Sequence, residues 1–202
     1  MFVKYIFISL SDNILIDMPE TYHYHNKIFF RLFSYFHNQF TIKVVMPQEI
    51  LADLNTLDLN KSIVDIETIR AIIPHRYEME QLSGIVKFDP EQGIIVGYKD
   101  VSPNEFWVRG HIPGRPLMPG VLMLEAAAQL CTYYYKKTTQ DDRFLGFGGI
   151  DKVKFRGKVV PGDKLILIAK NRELRARRAI FDTQGVVDGK LVFEGVIIGM
   201  VV

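Results

Sequence analysis

Apolar and polar positions recur along this chain with two different periods. In IETIRAII, residues 66–73, the apolar positions Ile66, Ile69, Ile72 and Ile73 fall three and four apart. That spacing predicts a short amphipathic helix, which Pro74 ends. Next, GIVKF and GIIVGYKDV are β-rich runs separated by the turn segment DPEQG, the pattern of a hairpin. A strand-like NEFWVRG follows and leads into His111. Residues 119–135 are short of β-branched residues and rich in Leu, Met and Ala, and Pro119 suits a first helical turn because its missing N–H costs nothing there. The spacing predicts a helix of about 17 residues, roughly 25 Å long. Four further strand-like runs follow, GIDKVKFRG, DKLILIAKN, RAIFDTQGVVD and KLVFEGVIIGMVV, with turns at PGD (161–163) and DG (188–189). One helix that is apolar nearly all round, together with five or more mainly antiparallel strands, predicts an α+β domain whose sheet curls round the helix.

Composition narrows this picture. With 202 residues and 48% hydrophobic content, the chain can build one domain with a sizeable core, with or without an appendage. A net charge of +2 argues against a surface built to hold nucleic acid. The single cysteine, Cys131, lies in the apolar run, excludes an intrachain disulfide framework, and reads as a small buried hydrophobe. The first 45 residues differ from the rest. They hold 11 of the 24 aromatic residues and three of the five histidines (His23, His25, His37), but only seven charged side chains. The apolar opening lacks the length of a membrane span and the cleavage pattern of a signal peptide. These features divide the chain into an aromatic-rich extension (1–45), a linker (46–65) and a main domain (66–202). Met46 is a candidate natural start, which makes 1–45 dispensable. TYHYH has no Cys or carboxylate at a zinc-like spacing and reads as surface histidines.

The chemistry concentrates at 109–129, RGHIPGRPLMPGVLMLEAAAQ. From residue 112 to 135 the only charged side chains are Arg115 and Glu125. A carboxylate among Leu, Met and Ala is costly to keep ionised, so Glu125 is either paired, with Gln129 or backbone, or it works. The block GHIPGRPLMPGVLMLEAAAQ, preceded by IPHRY at 73–77 and followed by GGIDKVKFRGKVVPGDKL at 148–165, closely resembles the FabZ-type 3-hydroxyacyl-acyl-carrier-protein dehydratases. The resemblance runs from about residue 66 to 202. It implies the hotdog fold, with a curved antiparallel sheet wrapped around one long central helix. It also implies His111 and Glu125 as the catalytic pair, the matched Gly120 as the oxyanion site, and acyl-carrier protein as the partner that bears the substrate. The two catalytic groups of one site then come from different subunits, which implies an obligate homodimer, often assembled as a hexamer. The related A-type enzymes carry Asp at the acid position and commonly Cys where this chain has Val121, so Glu125 and Val121 favour the Z type.

The reaction needs these residue types. Taking a proton from C2 of a 3-hydroxyacyl thioester calls for a base that works near neutral pH, and imidazole meets that need. Expelling the C3 hydroxyl calls for an acid, and a carboxyl in apolar surroundings holds its proton. The developing thioester oxyanion needs N–H donors, which the helix start at Pro119-Gly120 offers with no side chain on Gly120 to block approach. His75, in IPHRY, reads as structural. The basic run KNRELRARR at 170–178 is either a solvated strand end and turn or a docking patch for acyl-carrier protein through Arg175 and Arg177, with Arg70, Arg76 and Arg115 as further candidates. After IPHRY, the polar EMEQLSGI stands where the family usually has an apolar segment, which leaves a specialised, polyketide-like acyl chain open as substrate. A hotdog thioesterase and a non-catalytic acyl-binding scaffold also remain open. No phosphate-binding glycine loop or metal-ligand cluster appears in the sequence, so neither cofactor nor metal is expected, and a cytoplasmic location is.

Overall fold

The computed structural model describes residues 49–202 and, before them, the short strands β1 (Ile8–Ser9) and β2 (Leu15–Ile16). The chain divides into two compact units, Met1–Glu49 and Ile50–Val202. In the first, β1 and β2 pair antiparallel, with Ile8 opposite Ile16. The histidines 23, 25 and 37 lie outside the described residues.

The second unit carries α1 (Ile66–Ile72), β3 (Gly84–Asp89), β4 (Ile94–Asp100), α2 (Gly120–Thr139), β5 (Leu145–Phe155), β6 (Lys164–Arg175), β7 (Arg178–Val187) and β8 (Lys190–Val201). Asp65 caps α1 by accepting from the Thr68 N–H at 2.8 Å, and the helix stops before Pro74 as its periodicity predicts. The last six strands form one antiparallel sheet in the order β3-β4-β6-β7-β8-β5. The connection from β4 to β5 therefore crosses from one side of the sheet to the far edge, and α2 makes that crossing over one face. Register shifts interrupt the β3–β4, β5–β8, β6–β7 and β7–β8 pairings, and such irregularities bend a sheet.

The two faces of the sheet follow from the period of two. Ile85, Ile95, Leu165, Leu167, Phe181 and Phe193 turn toward α2, whose Met123, Leu124, Ala126, Ala127 and Leu130 are all buried against them. Gly97 is required at this contact, because a Cβ there would stand 2.8 Å from Leu130 Cδ1. The opposite face presents Val86, Ile94, Val96, Ile166, Ile168 and Val186, and the segment from Ile50 to Leu59 covers it with Leu51, Ala52, Leu54 and Leu57. The Leu51 N–H donates to Gln184 Oε1 at 2.8 Å, and Val64 bridges Ile85. Residues 50–65, read from the sequence as linker, are thus part of this unit. Their leucines are spaced too irregularly to show a period, yet a second apolar sheet face needs cover.

Two sequence expectations change. The central helix runs on to Thr139, because its last turn (Lys136, Lys137, Thr138, Thr139) is polar and closes on Gln140 in the left-handed conformation (φ 56°). NEFWVRG is a series of turns. The Val108 N–H bonds the Glu105 carbonyl, and the Gly110 and His111 N–H groups both bond the Trp107 carbonyl, at 3.1 and 2.7 Å. Its alternation comes from burying Trp107 alone. Leu130→Ala, which empties a fully buried site under Gly97, should lower unfolding stability by about 2–5 kcal/mol, read from urea midpoints at unchanged slope.

Candidate active site

His111 stands at the end of the turns between β4 and α2. Beneath those turns lies a buried ion pair, Lys99 Nζ to Glu105 at 2.9 Å, with side chains only 6% and 13% exposed. On the far side, the Leu117 N–H bonds the His111 carbonyl at 2.9 Å, and the Met118 N–H bonds Val159 at 2.8 Å. The imidazole itself is fixed by one contact, Nδ1 to the Leu117 carbonyl at 2.6 Å. A carbonyl can only accept, so Nδ1 carries the hydrogen and Nε2 keeps its lone pair. His111 is exposed, so that lone pair is accessible.

Glu125 lies on the second turn of α2, half-buried. Gln129 Nε2, four residues on, donates to Glu125 Oε1 at 2.8 Å and also to the Met79 carbonyl at 2.7 Å. Gln129 Oε1 accepts the Gln81 N–H at 3.0 Å, so the buried amide joins the helix to the loop at 79–81. His75 adds a contact that the sequence did not suggest, Nε2 to Glu125 Oε1 at 3.4 Å. Burial pushes the His75 imidazole below its ordinary value, Glu125 opposes that shift, and Arg76 adds to it. Apolar residues flank Glu125 in sequence, but polar partners meet its carboxyl in space.

Most polar groups of EMEQLSGI find partners within this site, while Gln81 Oε1 is buried without one. Glu80 takes a two-pronged bond from Arg70, both N–O distances 2.7 Å, and Gln81 Nε2 donates to the Glu78 carbonyl at 2.6 Å. At the start of α2, the Leu122 and Met123 N–H groups turn to the Pro119 carbonyl, and the Gly120 and Val121 N–H groups are the free donors. Gly120 also makes room for packing. A Cβ there would stand 2.6 Å from the Phe155 ring, so the space beside it belongs to Phe155 of β5.

No hydrogen bond joins His111 to Glu125 within one chain; their partners are separate. Arg175 and Arg177 lie at the tip of the β6–β7 hairpin, beyond the C-terminal end of α2, where the Ala176 carbonyl accepts from Tyr135 and Arg143. Arg175 and Arg178 share Glu173 and Arg172 pairs with Asp182, whereas Arg177 has no acidic partner among the described residues. Arg70 and Arg76 line an open groove of about 510 Å³ with Lys136 and Phe144. Arg115 is exposed. Cys131 is buried, and burial pushes its thiol up, away from reactivity.

A single long helix against a curved six-stranded antiparallel sheet, with a histidine turn at the helix start and a carboxyl on its second turn, defines a hotdog-fold protein. The solved dehydratase heterocomplex ApeI:P from Xenorhabdus doucetiae shares that fold. Its TM-score is 0.57 at 16% identity, over 66% of this chain and 90% of that one. Residues 73–196 match the family model described as a FabA-like domain. The 3-hydroxyacyl-[acyl-carrier-protein] dehydratase FabZ of Clostridium beijerinckii is 42% identical over 141 residues, 67% of this chain and 97% of the relative. That of Streptococcus sanguinis is 38% identical over 134 residues, 66% of this chain and 94% of the relative. The chain belongs to the FabA-like family and groups there with the FabZ-type dehydratases.

Lys99→Met leaves Glu105 buried without its cation, which should cost about 3–5 kcal/mol, and Lys99→Met/Glu105→Gln should recover much of that loss in urea unfolding. If the double variant is as unstable as the single, the pair does not act as a pair.

Proposed function

We propose that this protein removes water from (3R)-3-hydroxyacyl thioesters on acyl-carrier protein to give trans-2-enoyl thioesters for fatty acid biosynthesis. The observation that carries this reading is a His111 imidazole turned by Leu117 to present Nε2, in a chain whose Gln129 holds a carboxyl, Glu125. His111 Nε2 takes the C2 proton as the C2–H electron pair moves into the new double bond. Negative charge gathers on the thioester oxygen, where the free N–H groups at the start of α2 stabilise it. Glu125 gives its proton to the C3 hydroxyl, the C3–O bond breaks, and water leaves. The proton on His111 then returns to the Glu125 carboxylate, and the site is reset without a redox partner.

The two groups have separate supports in one chain, which favours a site shared between two copies. Strand β5 supports the same reading. It is 11 residues long, paired on one side only, and Phe147, Ile150 and Phe155 are each about half exposed, with Val121 and Met200 exposed beside them. An edge strand with exposed apolar side chains is a template for another strand, and a second copy supplies one. Among the described residues no helix is long and apolar enough to cross a membrane.

The test follows enoyl absorbance and free thiol together on a 3-hydroxyacyl-acyl-carrier-protein. Enoyl formation without thiol release is expected, and thiol release would make the protein a thioesterase. His111→Ala and Glu125→Gln should each lower kcat by about a hundredfold or more. Refolding the two variants together should restore about a quarter of wild-type activity, because half the pairs are mixed and each mixed pair has one intact site. No recovery would place both groups in one chain. For the carrier protein, Arg175→Glu/Arg177→Glu should raise KM several-fold while a short thioester analogue is unaffected. Equal effects on both substrates would remove the hairpin from docking.

A further inference from the structure

We propose that His75 is a positioning residue for Glu125, donating a hydrogen bond to the carboxylate that forms as Glu125 gives up its proton. The inference rests on the proposed role of Glu125 and goes beyond it, since IPHRY on its own indicates only a structural histidine. Three observations carry it.

First, His75 Nε2 stands 3.4 Å from Glu125 Oε1, on the oxygen that Gln129 also contacts at 2.8 Å. Second, the other ring nitrogen, Nδ1, is buried with no hydrogen-bond partner. A hydrogen on Nδ1 would be an orphaned buried donor, so the favoured tautomer has its hydrogen on Nε2, facing Glu125. Third, the ring is held in place. His75 lines a cavity of only about 10 Å³ with Ile73, Leu82 and Gln129, and the Phe144 ring lies 6.4 Å away, centroid to centroid.

The charged groups around His75 do not supply this donor themselves. Arg70 is committed to Glu80 and Glu67, and the Arg76 guanidinium to the carbonyls of Ile73, His75 and Arg70. Glu125 is thus met by Gln129 along its own helix and by His75 from the loop before β3. A dehydratase acid has to release its proton when the hydroxyl leaves, and a fixed N–H aimed at the nascent carboxylate lowers the cost of that step. Two fixed donors on one oxygen also fix which carboxyl oxygen carries the proton, namely Oε2.

The experiment compares wild type, His75→Gln, His75→Leu and Glu125→Gln on a 3-hydroxyacyl-acyl-carrier-protein across pH. His75→Leu should lower kcat about tenfold with KM changed less than twofold, the loss expected of one hydrogen bond to a charged group. It should also move the high-pH limb of kcat upward by about one pH unit. Without the N–H donor the carboxylate is less favoured, so the acid form persists to higher pH. A merely structural defect would not move that limb upward. His75→Gln, which keeps a neutral donor near the Nε2 position, should keep kcat within about threefold of wild type and leave the limb in place. A His75→Leu profile that superimposes on wild type overturns the proposal, and so does a His75→Gln kcat reduced about tenfold or more. Should His75→Leu fail to fold, His75→Gln decides the question alone. Glu125→Gln at wild-type kcat would instead overturn the underlying assignment of the acid.

Discussion

Gln129 has one side-chain oxygen and two N–H hydrogens, and all three are engaged in a place that water does not reach. One hydrogen goes to Glu125, the other to the Met79 carbonyl, and the oxygen takes the Gln81 N–H. A buried amide that lost any of these partners would be left with an unmet donor or acceptor, at a cost of about 1–3 kcal/mol. The helix and the loop that precedes β3 are therefore locked to each other at one turn of α2. That turn is where Glu125 sits and where His75 arrives. Loop conformation, carboxyl orientation and helix seating are one linked condition, and a small change at residues 79–81 is felt at the carboxyl.

The rest of the fold supplies the platform for that lock. α2 reaches the sheet closely enough only because Gly97 leaves room for Leu130, and its start is pinned against β5 because Gly120 leaves room for Phe155. Both glycines act by close approach of packed groups and neither by unusual backbone angles. The crossover from β4 to β5 then sets the geometry of the chain's two chemical ends. It leaves β4 at the Lys99–Glu105 pair, folds into the turns that carry His111, and enters α2 three residues before Met123 and five before Glu125, landing at last on the edge of the sheet. That β5 pairs only with β8 and forms an edge of the sheet follows directly from the crossover through the helix that carries the carboxyl.

Much of this was legible in the sequence, for identifiable reasons. Strands β3, β4 and β6 to β8 announce themselves because each is bounded by turn residues: Asp188 and Gly189, with φ of 49° and 72°, adopt the left-handed pair that a DG turn requires. His111 and Glu125 stood out as lone polar groups in an apolar block. What stayed hidden depends on contacts between distant segments. His75 lies fifty residues before Glu125, and nothing local in IPHRY says that its ring turns toward α2. The Trp107 turn imitates a strand, since one buried aromatic flanked by polar residues looks like alternation. The cover from Ile50 to Leu59 has no period at all, because a segment that lies flat on a sheet needs only leucines at its points of contact.

Placing the carboxyl in a polar lock changes what its apolar neighbours do. Met123, Leu124, Ala126 and Ala127 hold α2 against the sheet, and on that helix Gln129 and, from the loop, His75 meet one oxygen of Glu125. A carboxyl contacted on Oε1 keeps Oε2 open, and in the proposed reaction that oxygen is the one that meets the substrate. The imidazole of His111 follows the same logic with different parts: the Leu117 carbonyl holds one nitrogen and leaves one free. Each of the two side chains is thus anchored through one atom and leaves the other open, which is what the proposed reaction asks of them. Such preorganisation moves the cost of orientation from the reaction to folding, where the sheet and its two covers meet it.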